Sequence, residues 1–104
     1  MVFLKVFWTE TAIVQRNLVF KYWNHRNKSN TYSIKLKTLI KERINLLKQY
    51  PDIGKKTEFK AIRIIYLEHY SILYKVDKEI IFIVGFWDNR QNPLKLLRLL
   101  RENK

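Results

Sequence analysis

Arg63 stands in the middle of a run of β-forming residues, Ala61-Ile62-Arg63-Ile64-Ile65-Tyr66. A guanidinium in such a run needs a partner or an open cleft, and its planar fork suits a phosphate bidentately. Lys55, Lys56, Glu58 and Lys60 lie just upstream, and Arg90 follows a later apolar run. Residues of these types fit cleavage of RNA through its 2′-hydroxyl. That reaction needs a base for the 2′ proton, an acid for the leaving 5′ oxygen, and cations around the phosphorane. Arg63 is the first cation candidate, Arg90 a second phosphate ligand, Lys60 an additional nucleic-acid contact and Glu58 a general base. Trp87 offers a ring on which a base could stack, although an indole shuttles no proton. Each has a plainer reading beside it: a salt-bridged arginine at 63, a solvated charged turn at 55–58, and an Arg90 that caps the sheet edge against Asp88. His25 and His69 are not spaced as a catalytic or metal-binding pair, and neither a Gly-rich phosphate loop nor a Ser-His-Asp arrangement is present. The chain has no cysteine, which excludes disulfides, thiolate catalysis and cysteine-bound zinc. No metal or cofactor is expected.

The background to these residues is strongly basic. Twenty-one Lys/Arg oppose nine Asp/Glu among 104 residues, for a net charge of +12. Such a surface attracts polyanions: RNA, DNA, a ribosome or an acidic protein. Apolar residues make up 47% of the chain, with only two glycines and two prolines, a composition that folds. The length is that of one domain, taken as residues 1–104. No stretch approaches the roughly 18 consecutive apolar residues of a membrane helix, so no membrane partner is expected. Residues 1–8 do not have the form of a signal peptide, and the protein reads as cytoplasmic.

The elements that must hold these side chains can be read from periodicity. Residues 2–8 are dense in β-formers, and Thr9-Glu10 has the form of a helix start. A first helix is predicted to about His25, with Val14, Leu18 and Tyr22 as its apolar stripe and Val19 and Trp23 beside it. A polar turn over 24–30 leads to a second helix over 31–49, buried through Tyr32, Leu36, Ile40, Ile44 and Leu47. Pro51 and Gly54 stop that helix. Three strands follow, at about 58–67, 70–76 and 79–87, with tight connections at Glu68-His69 and Asp77-Lys78. Alternation places Arg63 with Ala61 and Ile65 on one face of its strand, and Ile62, Ile64 and Tyr66 on the other. Asn92-Pro93 opens a short basic C-terminal helix with Leu96, Leu97, Leu99 and Leu100 on one side and Lys95, Arg98 and Arg101 on the other. The order β-α-α-β-β-β with a terminal helix predicts an α+β domain, a helical hairpin packed on a mainly antiparallel sheet.

That order, with these residues in it, resembles the RelE/ParE superfamily of bacterial growth inhibitors. Trp8-Thr9-Glu10-Thr11-Ala12 looks like the family's passage from strand to helix, and Tyr22-Trp23 like the close of its first helix. Ile44, Leu47, Tyr50-Pro51 and Gly54 match the end of its second helix. Ile62-Arg63-Ile64 matches its arginine-bearing strand, and Tyr70-Ser71-Ile72-Leu73-Tyr74 and Asp88-Asn89-Arg90-Gln91-Asn92-Pro93 resemble later family motifs. The resemblance implies the toxin of a type II toxin–antitoxin pair, with a cognate antitoxin as partner. It leaves two targets open. RelE-like members are metal-independent endoribonucleases that cut mRNA on the ribosome; for these Lys55, Lys56, Arg63, Glu58 and Arg90 would be the working cluster. ParE-like members inhibit DNA gyrase and carry no nuclease centre. Nucleases of the family often end their last strand with a tyrosine or histidine, whereas this chain has Phe86-Trp87-Asp88-Asn89. A third reading, a non-toxic RNA- or ribosome-binding protein, shares the charge and leaves the motifs unexplained. Leu96, Leu97, Leu100 and Arg98 are the expected antitoxin contacts.

Overall fold

A computed structural model of the chain describes residues 4–59 and 61–102. Strand β1 (Lys5–Trp8) leads into helix α1 (Glu10–Asn27), and helix α2 (Thr31–Gln49) folds back beside it. Four strands follow: β2 (Lys55–Lys56), β3 (Arg63–Leu67), β4 (Tyr70–Asp77) and β5 (Ile80–Asp88). Helix α3 (Pro93–Glu102) comes last. The five strands form one sheet in the order β1-β5-β4-β3-β2. Only β1 runs parallel to its neighbour, and the long connection through the helices and the other strands allows this, since a parallel pair cannot be joined by a tight turn. This is the α+β architecture the sequence predicts, with one short strand added.

The helix boundaries follow their local chemistry. Thr9 caps α1, its hydroxyl accepting from the Ala12 N–H at 3.2 Å. Helix α1 runs two residues beyond its expected end and stops where Lys28 turns left-handed (φ 51°) and returns its N–H to Asn24. Ser33 pins the hairpin by donating to the Phe20 carbonyl at 3.1 Å. Asn92 opens α3 by accepting from the Leu94 N–H at 2.9 Å, with Pro93 at the first helical position.

Of the stripe expected of it, helix α2 buries Leu36, Ile40, Ile44 and Leu47, while Tyr32 is half-buried at the edge of the core. Helix α1 does not. Val14, Leu18 and Tyr22 are 51%, 61% and 51% exposed, while Ala12 and Phe20 are buried, Val19 packs against the same core and Trp23 is half-buried beside Tyr32. Two stripes are present on α1, about 160° apart by helical pitch. The sheet takes the one that begins at Ala12, whose small side chain lets the helix come close, and Arg16 contributes by lying over the Trp8 ring, 4.7 Å from its centroid. The core between helices and sheet is completed by Ile65, Leu67, Tyr70, Ile72, Tyr74, Ile81, Ile83 and Phe86.

The strand expected over 58–67 begins only at Arg63. Thr57 closes a turn in front of it, its hydroxyl accepting from the Phe59 N–H at 3.1 Å and donating to the Ile62 carbonyl at 2.8 Å. Ala61 sits at φ 67°, which no strand residue adopts. The turn brings Lys55 beside Ile64 and Lys56 beside Arg63, making β2. The final hairpin turns at Lys78-Glu79, one residue later than predicted.

A bulge in β5 reverses its alternation. Tyr74 pairs with Ile83 but Leu73 pairs with Gly85, so Val84 is the extra residue. Ile81, Ile83 and Phe86 therefore face the helices, while Val84 and Trp87 join Ile62 and Leu73 in a second cluster on the far face. Gln15 supports the irregular backbone by accepting from the Phe86 N–H at 2.8 Å.

Candidate functional site

The predicted residues fall into two groups at opposite ends of β3 and β4. The first surrounds the exit from α2. Tyr74, fully buried on β4, donates its hydroxyl proton to the Pro51 carbonyl at 2.8 Å and accepts from the Gly54 N–H at 2.8 Å. Gly54 must be glycine for this, because a Cβ there would lie 2.6 Å from the Tyr74 ring. Arg63 completes the clamp: Nη1 donates to the Gly54 carbonyl at 2.9 Å and to the Asp52 carbonyl at 3.1 Å. Its Nη2 lies 3.8 Å from the Asp52 carboxylate, an outlying ion pair of little energetic weight because Asp52 is 88% exposed. Burial pushes the Tyr74 hydroxyl up from the ordinary tyrosine value, which keeps it a neutral donor at physiological pH.

Lys55 and Lys56 are both exposed on β2. They alternate, so Lys56 shares a face with its neighbour Arg63 and Lys55 shares the opposite face with Ile64. Only one of the two can address a phosphate held by Arg63. Glu58 is exposed on the adjoining turn, and Lys60 lies outside the described residues.

The second group is built around Arg90. The Arg63 end and the Leu67 end of β3 are four residues apart, and Leu67 pairs with Tyr70, which pairs with Asp88. That spacing puts about 13 Å of strand between the two groups. Arg90 grips Asp88 bidentately, Nε to Oδ1 at 2.9 Å and Nη2 to Oδ2 at 2.8 Å. These hydrogen bonds hold the Asp88 carboxyl below the usual carboxylate range and push the Arg90 guanidinium up. The guanidinium also lies over the Trp23 ring at 5.5 Å, and the Trp23 indole N–H donates to the Tyr70 hydroxyl at 2.6 Å. Arg26 covers Trp23 as well, at 5.3 Å. Beside this network runs an open groove of about 470 Å³ bounded by Leu18, Tyr22, Tyr70 and Arg90.

Trp87 was the expected base-stacking ring. The bulge turns it onto the far face, where it is 8% exposed among Ile62, Leu73 and Val84 and offers no open face to a base. Leu96 is half-buried against the same cluster, and Arg98 is exposed on α3. The side chains of Leu97 and Leu100 lie outside those described. The partners of Arg90 on its other side, Trp23 and Tyr70, escaped the sequence reading, because nothing in a single sequence joins an aromatic on α1 to one on β4. The Asp88-x-Arg90 spacing was the visible half of the arrangement. Among the described residues no group of three His, Asp or Glu is placed to hold a metal ion. No described helix is long and apolar enough to cross a membrane.

Fold and surface together define a small, basic α+β domain with its cations spread over several faces. The chain belongs to the family described as the ParE toxin of the type II toxin–antitoxin system parDE, whose sequence profile matches residues 6–93. It is thus a member of a type II toxin family, and a toxin of this class has a cognate antitoxin as its partner. Its fold is similar to a solved structure described as a chromosomal ParDE toxin–antitoxin system from P. aeruginosa. The TM-score is 0.72 at 19% identity, over 83% of this chain and 96% of that one. No curated protein matches the sequence.

Proposed function

We propose that this toxin arrests growth by binding DNA gyrase rather than by cutting RNA. The observation that supports the reading is the position of Arg63. Its guanidinium is committed to the carbonyls of Asp52 and Gly54 as part of a clamp on the loop after α2. A nuclease would need that group free to meet a phosphate, with a proton donor and acceptor beside it. Instead, Arg90 stands at the other end of the sheet, tied to Asp88. A protein that acts by binding needs only a rigid fold and a charged surface, and +12 supplies the charge.

The test uses purified protein in two assays. In a DNA supercoiling reaction with purified gyrase, the toxin is expected to inhibit supercoiling at the concentrations that arrest growth. In a cell-free bacterial translation reaction, mRNA 5′ ends are expected to be unchanged. New 5′ ends that require translating ribosomes, together with unimpaired gyrase, would overturn the proposal and return Lys56 and Arg63 to a nuclease site. Arg63→Ala adds a second check. Once corrected for the fraction folded, its gyrase inhibition should match the parent protein.

A further inference from the structure

Helix α2 carries a second apolar flank besides the stripe it gives to the core. Leu39, Leu46 and Tyr50 stand about 100° round the helix from Leu36, Ile40, Ile44 and Leu47. Leu39 is half-buried at the edge of the core, and Leu46 and Tyr50 are exposed. Helix α1 packs on the other flank, where Lys37 reaches the Phe20 ring at 5.1 Å, and Lys41 and Lys48 share that side by helical pitch. On the free flank Leu39, Glu42, Arg43 and Leu46 enclose a hollow of about 180 Å³. They are residues i, i+3, i+4 and i+7, the four that make a hole for one side chain of a facing helix. Glu42 is the one acid between Thr31 and Gln49, and it stands next to Arg43. Adjacent side chains on a helix do not face each other. Among the described residues the ion pairs are Arg63 with Asp52 and Arg90 with Asp88, so neither Glu42 nor Arg43 has a charged partner there. The flank also reads alike in both directions. Turned end for end about the midpoint between Glu42 and Arg43, Leu39 falls on Leu46, Glu42 on Arg43 and Lys35 on Tyr50. An interface between identical chains about a twofold axis requires that symmetry.

We propose that this flank joins two copies of the chain, α2 running antiparallel to α2 about a twofold axis between Glu42 and Arg43. Leucines of each copy fill the hollow of the other. Glu42 of each meets Arg43 of the other in two reciprocal ion pairs, and each Lys35 lies against the other copy's Tyr50 ring. Charge selects the occupant. With a net +12 per chain, two copies repel over most of their surface, and this flank is a place where the local charge is balanced. The contact runs from Lys35 to Tyr50, about 22 Å of helix. That is less than the interface of a permanent dimer, so association is weak and reversible. The gyrase reading makes no use of this flank, and the two proposals stand or fall separately.

Sedimentation equilibrium of the purified chain at physiological salt measures the association. A reversible monomer–dimer equilibrium is expected, with a Kd of about 10–100 μM. Glu42→Arg and Arg43→Glu each set like charges opposite one another, and each should weaken the dimer roughly tenfold or more while circular dichroism stays native. The two changes combined exchange the charges and should restore the parent affinity to within about threefold, which damage to the fold would not do. Register is read by cross-linking, to which a chain without native cysteine is suited. Lys35→Cys mixed with Tyr50→Cys, both at exposed positions, should form the mixed disulfide in preference to either homodisulfide. Positions 35 and 50 of opposite copies face each other, whereas the two copies of position 35 lie about 22 Å apart, beyond the reach of a disulfide. A chain that stays monomeric up to about ten times that Kd, single reversals that leave the dimer intact, a charge exchange that fails to restore it, or disulfides formed without preference would each overturn the proposal.

Discussion

Replacing Tyr74 by phenylalanine would remove one oxygen atom and nothing else from the core. The ring would still fill its place on β4, so no cavity opens beyond the hydroxyl itself. Two hydrogen bonds vanish, the one donated to Pro51 and the one accepted from Gly54, both at 2.8 Å. Gly54 is buried, so its N–H is left without a partner. A lost bond costs about 1 kcal/mol net, and a stranded buried donor about 1–3 kcal/mol, so we expect a total of about 2–4 kcal/mol. In a domain of this size that corresponds to a fall in Tm of at least about 8 °C. Thermal unfolding followed by circular dichroism reads the change. Hydrogen exchange locates it, with the Gly54 amide losing protection ahead of the strand amides. Arg63 holds the same loop through the Gly54 carbonyl, so Tyr74→Phe combined with Arg63→Ala should lose less than the sum of the two single variants. A Tm within about 2 °C of the parent, with the Gly54 amide still protected, would show that water replaces the hydroxyl and would refute the clamp.

Gly54→Ala should cost more than Tyr74→Phe, since the new methyl group would meet the Tyr74 ring at 2.6 Å and overpacking adds about 1–3 kcal/mol to the lost bonds; urea unfolding measures it. Asp88 carries a pH dependence of definite sign. Its carboxyl titrates lower in the folded protein because Arg90 donates to it, so its contribution is present above the unfolded value of about 4 and is lost as pH falls through the folded value. Stability should therefore drop more steeply below about pH 4 in the parent than in Asp88→Asn, as read by urea midpoints across that window. Leu18→Ser should leave stability within about 0.5 kcal/mol of the parent because Leu18 is 61% exposed; a loss above about 2 kcal/mol would restore it to the core.

The sequence made helix α2 and the hairpin of β4 and β5 readable to within a residue or two. In α2 the stripe Leu36, Ile40, Ile44 and Leu47 repeats regularly, and the observed bounds match those read from the sequence. In α1 two apolar stripes competed, and choosing between them required knowing how closely the helix approaches the sheet, which Ala12 decides. Arg63 was placed on the right strand and the right face, but its partners are main-chain carbonyls of a loop, and carbonyls have no letter in a sequence. The false strand over 58–62 had the same cause. Its apolar composition favoured a strand, while Thr57 and the left-handed Ala61 made a turn. The burial of Trp87 was not legible, because one extra residue at Val84 exchanges the faces of β5 and nothing in the letters marks the bulge.

The parallel pairing of β1 with β5 has a consequence in time. Lys5 pairs with Ile80 and Trp8 with Ile83, so β1 leaves the ribosome well before the strand it pairs with, β5, the last of the described strands. At about 5–20 residues per second, that is a wait of roughly 4–15 s. The helical hairpin needs only local contacts and ends at Gln49, so its apolar side, including Phe20, Leu36 and Ile44, spends about the last 2–7 s of that interval without its complete sheet. Each newly made molecule thus passes through a stage in which the surface destined for its own core is open to capture, and a protein that holds the hairpin then would meet the toxin before it is finished.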